Sequence, residues 1–389
     1  MISKVMRDGL SLCLKPVENA FSLPPLAYTS SEALTLEKKS IFDNGWIPIG
    51  RADRLKGIGD FTTLDIIGRP VILIRTKKNE LSALANSCRH RGAKLLSGSG
   101  NIKGIRCPFH SWLYRIDGSL AAAPRMEGSV SFQSCNNDLI KYAMSERLGF
   151  LFISFEEKPI DIDQWLGNFE QLHECWPLSQ MITTRTWTRE FAFNWKCFID
   201  VFNEYYHLPF VHRDSIDAVY NTPNQGDISK GNFATQFGKT EGTGGLLESQ
   251  QTFAFGNMPG LKSEALLGAR YTWMFPSMTF ACSNDALWVY EARPLNEHTC
   301  VVTQSTCFHP ETIAKHNFDE VAEVYYDRMD TALDEDIVAL QNQFSGLKSP
   351  EARQGPFSPN LEHNVAAFAQ WYSTKILNMS QDIIKGKLI

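Results

Sequence analysis

Short apolar runs, many alternating with polar residues, fill positions 46–155, whereas the region 315–380 carries its apolar positions three and four apart. The first pattern predicts strands and the second helices. Trp46-Ile47-Pro48-Ile49, Val71-Ile72-Leu73-Ile74 and the run from Phe150 to Phe155 have strand composition. Asp117-Gly118 predicts a hairpin turn between Leu113-Tyr114 and Leu120. Ahead of them, residues 1–40 mix helical and loop signals and end in an amphipathic helix, SEALTLEKKSIF, capped by Ser30 or Ser31. Residues 156–180 read as a polar connector, 181–193 as a strand, and 195–208 as a helix ended near Pro209. The stretch 213–268 is rich in Gly, Ser, Asn and Gln and predicts long loops at the mouth of a site. Two strands follow: Tyr271, Trp273 and Phe275 share a face of one, and Trp288 and Tyr290 share a face of the other. A third strand is expected over 300–308, and helices over 315–345 and 360–380.

These signals divide the chain into a helical lead (1–40), a β unit (41–155) and a mixed unit (156–389), in keeping with a length of 389 residues. Hydrophobic residues at 43% and charged residues at 21% are ordinary for a globular protein. A net charge of −5 argues against a nucleic-acid footprint or a polybasic membrane patch. No apolar run approaches a membrane span. The N-terminal stretch is interrupted by Arg7, Asp8 and Lys15 and does not read as a signal peptide. Nine cysteines with little paired spacing read as reduced thiols, so a cytoplasmic location is expected.

Two of those cysteines do have a pattern. Cys88-Arg89-His90 is followed, after sixteen residues, by Cys107-Pro108-Phe109-His110. Two thiolates can hold one iron of a [2Fe–2S] cluster and two neutral imidazoles the other, the Rieske arrangement, whose potential lies above that of an all-cysteine cluster. Zinc is the competing reading, but zinc spacings usually put Cys with Cys and His with His, whereas each loop here mixes the two. The segments CRHRGA and CPFHSW resemble the two cluster-binding loops of the Rieske family. Ser111 departs from that pattern, since many relatives have Gly there.

A second constellation is Glu204-Tyr205-Tyr206-His207 with His212 beyond it. On a continuous helix Glu204 and His207 share a face, with Asp200 one turn earlier; a break at Pro209 lets His212 turn back. Two imidazoles and one carboxylate make the triad that holds non-haem iron with open positions. Taken alone, a histidine among Phe198, Phe202 and Phe210 is more often a packed core residue. For the carboxylate, the helix over 315–345 offers Asp330, Asp334, Glu335 and Asp336. Met329, Leu333, Asp336 and Leu340 form one stripe, which points Asp336 inward; Asp334 and Glu335 stand as alternatives, and so does a solvated acidic turn.

The stretch NWKCFIDVFNEYYHLPFVH is similar to the iron-site segment of Rieske non-haem iron oxygenase α subunits, and the likeness runs from LPPLAY to the C-terminal helices. It implies an α+β chain: an N-terminal all-β Rieske [2Fe–2S] domain, then an α+β helix-grip (START-like) catalytic domain with an antiparallel sheet. His207 and His212 then become ligands of a mononuclear Fe(II), and EDI followed by GLKS lands on Asp336. Glu204 matches the carboxylate that links an iron-ligand histidine to the cluster histidine His110 across a subunit boundary, which implies a head-to-tail homotrimer or a multiple of one. Asp200-Val201 departs from the family's acid–Asn pair, and Asp200 stands in for the acid. Dioxygen is the implied co-substrate. With no G-x-G-x-x-G in the chain, electrons must come from a partner reductase, flavin- and iron–sulfur-dependent in relatives and fed by NAD(P)H.

The aromatic faces (Tyr271, Trp273, Phe275, Trp288, Tyr290) either line a substrate pocket or serve as sheet core. An aromatic pocket suits a planar ring or a quaternary ammonium. The resemblance lies nearest the oxygenases of carnitine, choline and betaines, so mono-oxygenation or N-demethylation of a small quaternary amine leads. Aromatic ring cis-dihydroxylation is the alternative; a Rieske electron-transfer or redox-sensing protein without oxygenase activity is the reading from another class.

Overall fold

In the computed structural model the described residues are 2–77, 80–132 and 137–384. Strands β1 (Trp46–Arg51), β2 (Asp60–Ile66), β3 (Arg69–Arg75), β4 (Leu81–Ala85), β5 (Ser99–Asn101), β6 (Ile105–Arg106), β7 (Leu113–Tyr114), β8 (Leu120–Ala122), β9 (Lys141–Arg147) and β10 (Phe150–Ser154) build the N-terminal half. Seven of them form an antiparallel sheet in the order β1-β10-β9-β4-β3-β2-β5, and β6-β7-β8 form a small one. The Asp117-Gly118 hairpin falls where expected: Tyr114 pairs with Leu120 and Gly118 has φ +87°, in the left-handed region.

The C-terminal half is one antiparallel sheet of β11 (Ile182–Phe191), β12 (Phe233–Lys239), β13 (Gly268–Met274), β14 (Met278–Cys282), β15 (Leu287–Pro294) and β16 (Cys300–Phe308), ordered β11-β16-β15-β14-β13-β12. Alternation along its strands sorts the two faces. Trp273, Trp288, Tyr290 and Ala292 join the core beneath the helices, while Phe233, Met274, Phe280, Leu287 and Val289 join a second core on the opposite face. Helices α6 (Trp195–Phe202), α9 (Phe318–Leu347) and α10 (His363–Ile384) cover the first face, and the short α8 (Pro310–Ile313) leads into α9. On the second face, Phe150 of β10 stacks on Phe280 at 4.8 Å, so β1 and β10 are buried along their whole length. Arg51 strengthens that joint by donating to the carbonyls of Leu148, Leu178 and Met181.

Three local expectations change. Residues 156–180 are not a bare connector: α4 (Ile162–Leu166) and α5 (Phe169–His173) bury Ile162, Trp165, Leu166 and Phe169 against the second core. The loop-rich stretch 213–268 contributes β12, whose Phe233 and Phe237 alternate inward. The helix expected over 195–208 stops at Phe202, and Pro209 instead occupies the first turn of α7 (Leu208–Val211), where its missing N–H is harmless.

The N-terminal helices α1 (Lys4–Leu12), α2 (Pro25–Thr29) and α3 (Ser31–Glu37) pack on the C-terminal half. Ser30 caps α3 by accepting from the Ala33 N–H. The last residue of α3, Glu37, is fully buried; it accepts from Lys196 Nζ at 2.6 Å, Trp195 Nε1 at 3.0 Å and Tyr372 Oη at 2.8 Å. These bonds lock α6 to α3 and α10. Removing one partner of a buried pair leaves an uncompensated charge, so Lys196→Met is expected to lose about 3–5 kcal/mol of stability. A double-mutant cycle by urea unfolding checks this: Glu37→Gln/Lys196→Met should be well short of the sum of the two single changes.

Candidate functional site

Two loops carry the cysteine–histidine pairs, one after β4 and one between β6 and β7. Cys88 and Cys107 are 4% and 2% exposed at the base, whereas His110 is exposed at the tip. The His90 and His110 rings meet edge to face at 4.7 Å, and His90 stacks on Trp112 at 4.9 Å. Tyr114 Oη lies 3.3 Å from Cys88 Sγ and accepts from the Arg89 N–H. Burial pushes the Cys107 thiol up, but the backbone N–H groups of Phe109 and His110 outweigh it and lower its pKa overall, the environment of a thiolate. His90 Nδ1 is buried without a partner. Two sulfurs below and two imidazoles above, one with an orphaned buried nitrogen, fit a [2Fe–2S] group with mixed ligands. Ser111 has φ +59°, which accounts for glycine at this place in the family pattern.

The second site forms where α6 ends. Asn203 stops the helix, and Glu204-Tyr205-Tyr206 make a turn before α7. Glu204 and His207 therefore meet across a turn rather than on a helix face. The Glu204 carboxylate accepts from the Tyr206 N–H, the His207 N–H at 3.1 Å and His207 Nδ1–H at 2.5 Å. That last bond leaves His207 Nε2 as a free lone pair, 3.5 Å from Asp336 Oδ1. His212, the residue that ends α7, donates its Nδ1–H to Glu335 Oε2 at 2.6 Å and turns Nε2 to within 3.0 Å of the same Asp336 oxygen.

Asp336 Oδ1 is buried and accepts no well-directed hydrogen bond from either ring. Ligand atoms of His207, His212 and Asp336 lie within 4.8 Å of one another. Three lone-pair donors facing one point repel unless a cation lies between them, so the set fits a divalent metal with positions left open. Among the alternatives for the third carboxylate, Glu335 is committed to His212 and to Ser215 Oγ. Asp334 is mostly exposed beside Arg189, and Asp330 pairs with Arg185. Glu335 as the partner of His212 was invisible in sequence, because the two are 123 positions apart.

Asp200, one turn before Glu204, is buried and accepts from Tyr28 Oη at 2.6 Å. It shares with Glu204 and His207 an outer groove of about 310 Å³. On the inner side Glu204, His207, His212 and Asp336 border a cavity of about 50 Å³ walled by Phe202, Tyr271, Trp288 and Tyr290. Three of the five aromatic residues proposed for a pocket are thus at this cavity. Trp273 and Phe275 are not: Trp273 stacks on Phe368 at 3.9 Å and Phe275 lies 5.0 Å from Trp371, because each step of two along β13 moves a side chain about 7 Å from the cavity and under α10.

Residues 178–378 match the family described as the ring hydroxylating alpha subunit (catalytic domain), and residues 45–136 match the Rieske [2Fe-2S] domain. The chain is 35% identical over 221 residues to the carnitine monooxygenase oxygenase subunit of Acinetobacter baumannii, a stretch that is 56% of this chain and 59% of that relative. It is thus matched over about three fifths of that relative's length. It is 28% identical over 373 residues to the carnitine monooxygenase oxygenase subunit of Escherichia coli, covering 92% and 94% of the two. To the glycine betaine monooxygenase oxygenase subunit of Pseudomonas aeruginosa it is 27% identical over 410 residues, 96% of this chain and 93% of that protein. Among solved structures, the quaternary ammonium Rieske monooxygenase CntA with L-carnitine superposes with a TM-score of 0.78 at 25% identity, over 96% of this chain and 99% of that one. Naphthalene 1,2-dioxygenase from a Rhodococcus species shares the fold, with a TM-score of 0.77 at 18% identity over 97% and 99%.

Burial pushes the Asp200 carboxyl up from 3.8 to about 7, against the Tyr28 bond, which lowers it. A raised carboxyl pKa stabilises the folded state fully below the unfolded value, and that stability is lost as pH rises through the folded value. Asp200→Asn copies the protonated form. Its melting temperature should therefore match the parent most closely near pH 4, exceed it by a margin that grows up to about pH 7, and level off above that; thermal melts from pH 4 to 8 check this, and a margin independent of pH is the contrary result.

Proposed function

The chain belongs to the ring-hydroxylating oxygenase α-subunit family, with a Rieske [2Fe-2S] domain ahead of the catalytic one, and from that premise we propose that it is the terminal component of a multi-protein monooxygenase acting on a small quaternary amine. Cys88, His90, Cys107 and His110 would hold the [2Fe–2S] cluster, and His207, His212 and Asp336 a mononuclear Fe(II). When bound, the two centres supply one-electron transfer and the activation of dioxygen. A separate NAD(P)H-dependent flavin/iron–sulfur reductase would supply the electrons.

The convergence of His207, His212 and Asp336 at the floor of an aromatic cavity carries this conclusion. The chain's own residues have defined tasks. Glu204 and Glu335 hold both imidazoles as the Nδ1–H tautomer and keep each Nε2 available. Phe202, Tyr271, Trp288 and Tyr290 exclude water and offer π faces to a methylated ammonium group. Removal of an N-methyl group, seen as formaldehyde, is the expected outcome, with scission of another C–N bond as the variant of the same chemistry. A protein that only transfers electrons has no need of such a set, so the convergence of His207, His212 and Asp336 supports the oxygenase reading over it.

Glu204 is also proposed as the link between centres in adjoining copies. Among the described residues no hydrogen bond or ring contact joins the cluster loops to residues 200–212, so a path within one chain has no bonded bridge. A carboxylate has about four lone-pair sites, and Glu204 uses three within its own turn. One remains for the exposed His110 of a neighbouring protomer across the outer groove. Exposed aromatics flank both ends of such a joint: Phe109 at 57% beside the cluster, and Tyr206 at 52% and Phe210 at 74% beside the triad. A head-to-tail homotrimer satisfies both.

A substrate panel with a generic reductase, NADH and air, scored for formaldehyde against diol, tests the reaction; diol from an aromatic substrate, without formaldehyde from any betaine, would replace it with ring dihydroxylation. His207→Ala should lose mononuclear iron while keeping the cluster's visible absorbance; loss of that absorbance instead assigns His207 to the wrong centre. Glu204→Gln should lower iron affinity by about 10–100-fold through His207 and abolish turnover even when iron is saturating. Turnover within tenfold of the parent in iron-saturated Glu204→Gln removes the bridge.

A further inference from the structure

One buried charge in the cavity has no role in holding metal. Arg328 of α9 is 3% exposed, and its guanidinium carbon sits 5.1 Å from the centre of the Trp288 ring. Its Nη2 donates to Tyr220 Oη at 3.0 Å, its Nη1 reaches the Met329 sulfur at 3.4 Å, the Tyr271 hydroxyl is a further partner of the guanidinium, and its Nε has none. Other buried cations of the chain meet carboxylates: Arg51 meets Asp53, Lys196 meets Glu37, and Arg270 meets Asp227 and Glu264. Among the described residues, Arg328 has no carboxylate within ion-pair distance.

A guanidinium taken out of water without a counter-charge is expensive, and such groups persist where something else supplies the charge. Here the surroundings hold the cation in place rather than neutralise it. Tyr220 Oη, the acceptor for Arg328, is itself fixed by donating to the Gly244 carbonyl at 3.0 Å and by accepting from Tyr271 Oη at 2.8 Å. The Nε–H is buried without an acceptor, and Nη1 meets a weakly accepting sulfur. Planar, doubly hydrogen-bonding anions are what such an edge recognises best.

We propose that Arg328 is the substrate's carboxylate anchor, so that the site takes zwitterionic betaines and discriminates against cations without an acid group; this rests on the quaternary-amine monooxygenase proposed above. Arg328 and Asp336 stand eight residues apart on α9, about 12 Å along the helix axis. A molecule held at both ends must be extended, with its ammonium group toward the triad against the π faces of Phe202 and Tyr290 and its carboxylate several bonds away at Arg328. Choline places a hydroxyl where the acid would be, and its charge is repelled by the guanidinium. Tyr220 and Tyr271 act as positioning residues, since they touch the anchor through their hydroxyls.

The test uses the metal-loaded oxygenase without reductase and without air, so that binding is read apart from turnover. Calorimetric titrations employ γ-butyrobetaine, choline, and 5,5-dimethylhexanoate, in which carbon replaces the ammonium nitrogen of γ-butyrobetaine. The parent should bind γ-butyrobetaine at least tenfold more tightly than choline. Arg328→Gln should weaken γ-butyrobetaine by roughly 10–100-fold, as expected for the loss of hydrogen bonds to a charged group, and leave choline unchanged or tighter. Should Arg328→Gln fold poorly, Arg328→Lys and Tyr220→Phe carry the test, each predicted to weaken the betaine selectively. Equal affinity of parent and variant for γ-butyrobetaine, choline bound as tightly as the betaine, or no binding of any of the three by the parent overturns the proposal. Tight, Arg328-dependent binding of 5,5-dimethylhexanoate, with no formaldehyde from any betaine in the turnover assay, would retain the anchor while removing the quaternary amine from the proposed function.

Discussion

A charge pair sealed from water, Glu37 with Lys196, sets the position of α6, and much of the C-terminal half follows from where that helix lies and stops. Neither side chain is more than 1% exposed, so the pair is stable only if both partners and the added donors from Trp195 and Tyr372 are in place together. That requirement ties the N-terminal helices, α6 and α10 into one arrangement. It also explains why residues that precede the β unit in sequence pack on the far half of the molecule. The end of α6 at Phe202 then presents the turn 203–207 to α9, and the two imidazoles come to face Asp336.

Carboxylates do three different jobs within this small region. Asp336 is the acceptor left without a hydrogen bond, while Glu204 and Glu335 are each occupied in orienting one imidazole. Asp200 is held so far from water that burial favours its neutral form. Environment separates them, not residue type: a partner with an N–H ties a carboxylate into a hydrogen bond, a site with nothing but lone pairs suits a metal, and a dry site with one phenol favours the proton. Arg328 is the mirror image of Asp336, a buried cation that lacks an anion.

The two halves of the chain are joined by apolar packing and by Arg51, and so do not behave as separate beads. Phe150 and Phe152 of β10 belong to the same core as Phe280 and Val289 of the other sheet. The cluster loops project from the N-terminal sheet, with the cysteines inward and His110 outward.

Much of the chemistry was legible from residue order alone, because it depends on local spacing. C-x-H and C-x-x-H place thiolate and imidazole on tight loops wherever those loops end up, and the stripe of Met329, Leu333, Asp336 and Leu340 follows from the 3.6-residue period of one helix. The strand faces were legible for the same reason, as was the hairpin at Asp117-Gly118. What only the tertiary structure decided is every relation between groups distant in sequence: Glu335 bound to His212, Trp273 and Phe275 turned under α10, Asp200 dried by Tyr28, and Arg328 left without a counter-ion. The helix stop at Asn203 belongs with them, since an amphipathic pattern says which face is buried but not where a competing turn, capped here by Glu204, ends the helix. Periodicity is a property of neighbours along the chain, whereas burial and charge pairing depend on neighbours in space.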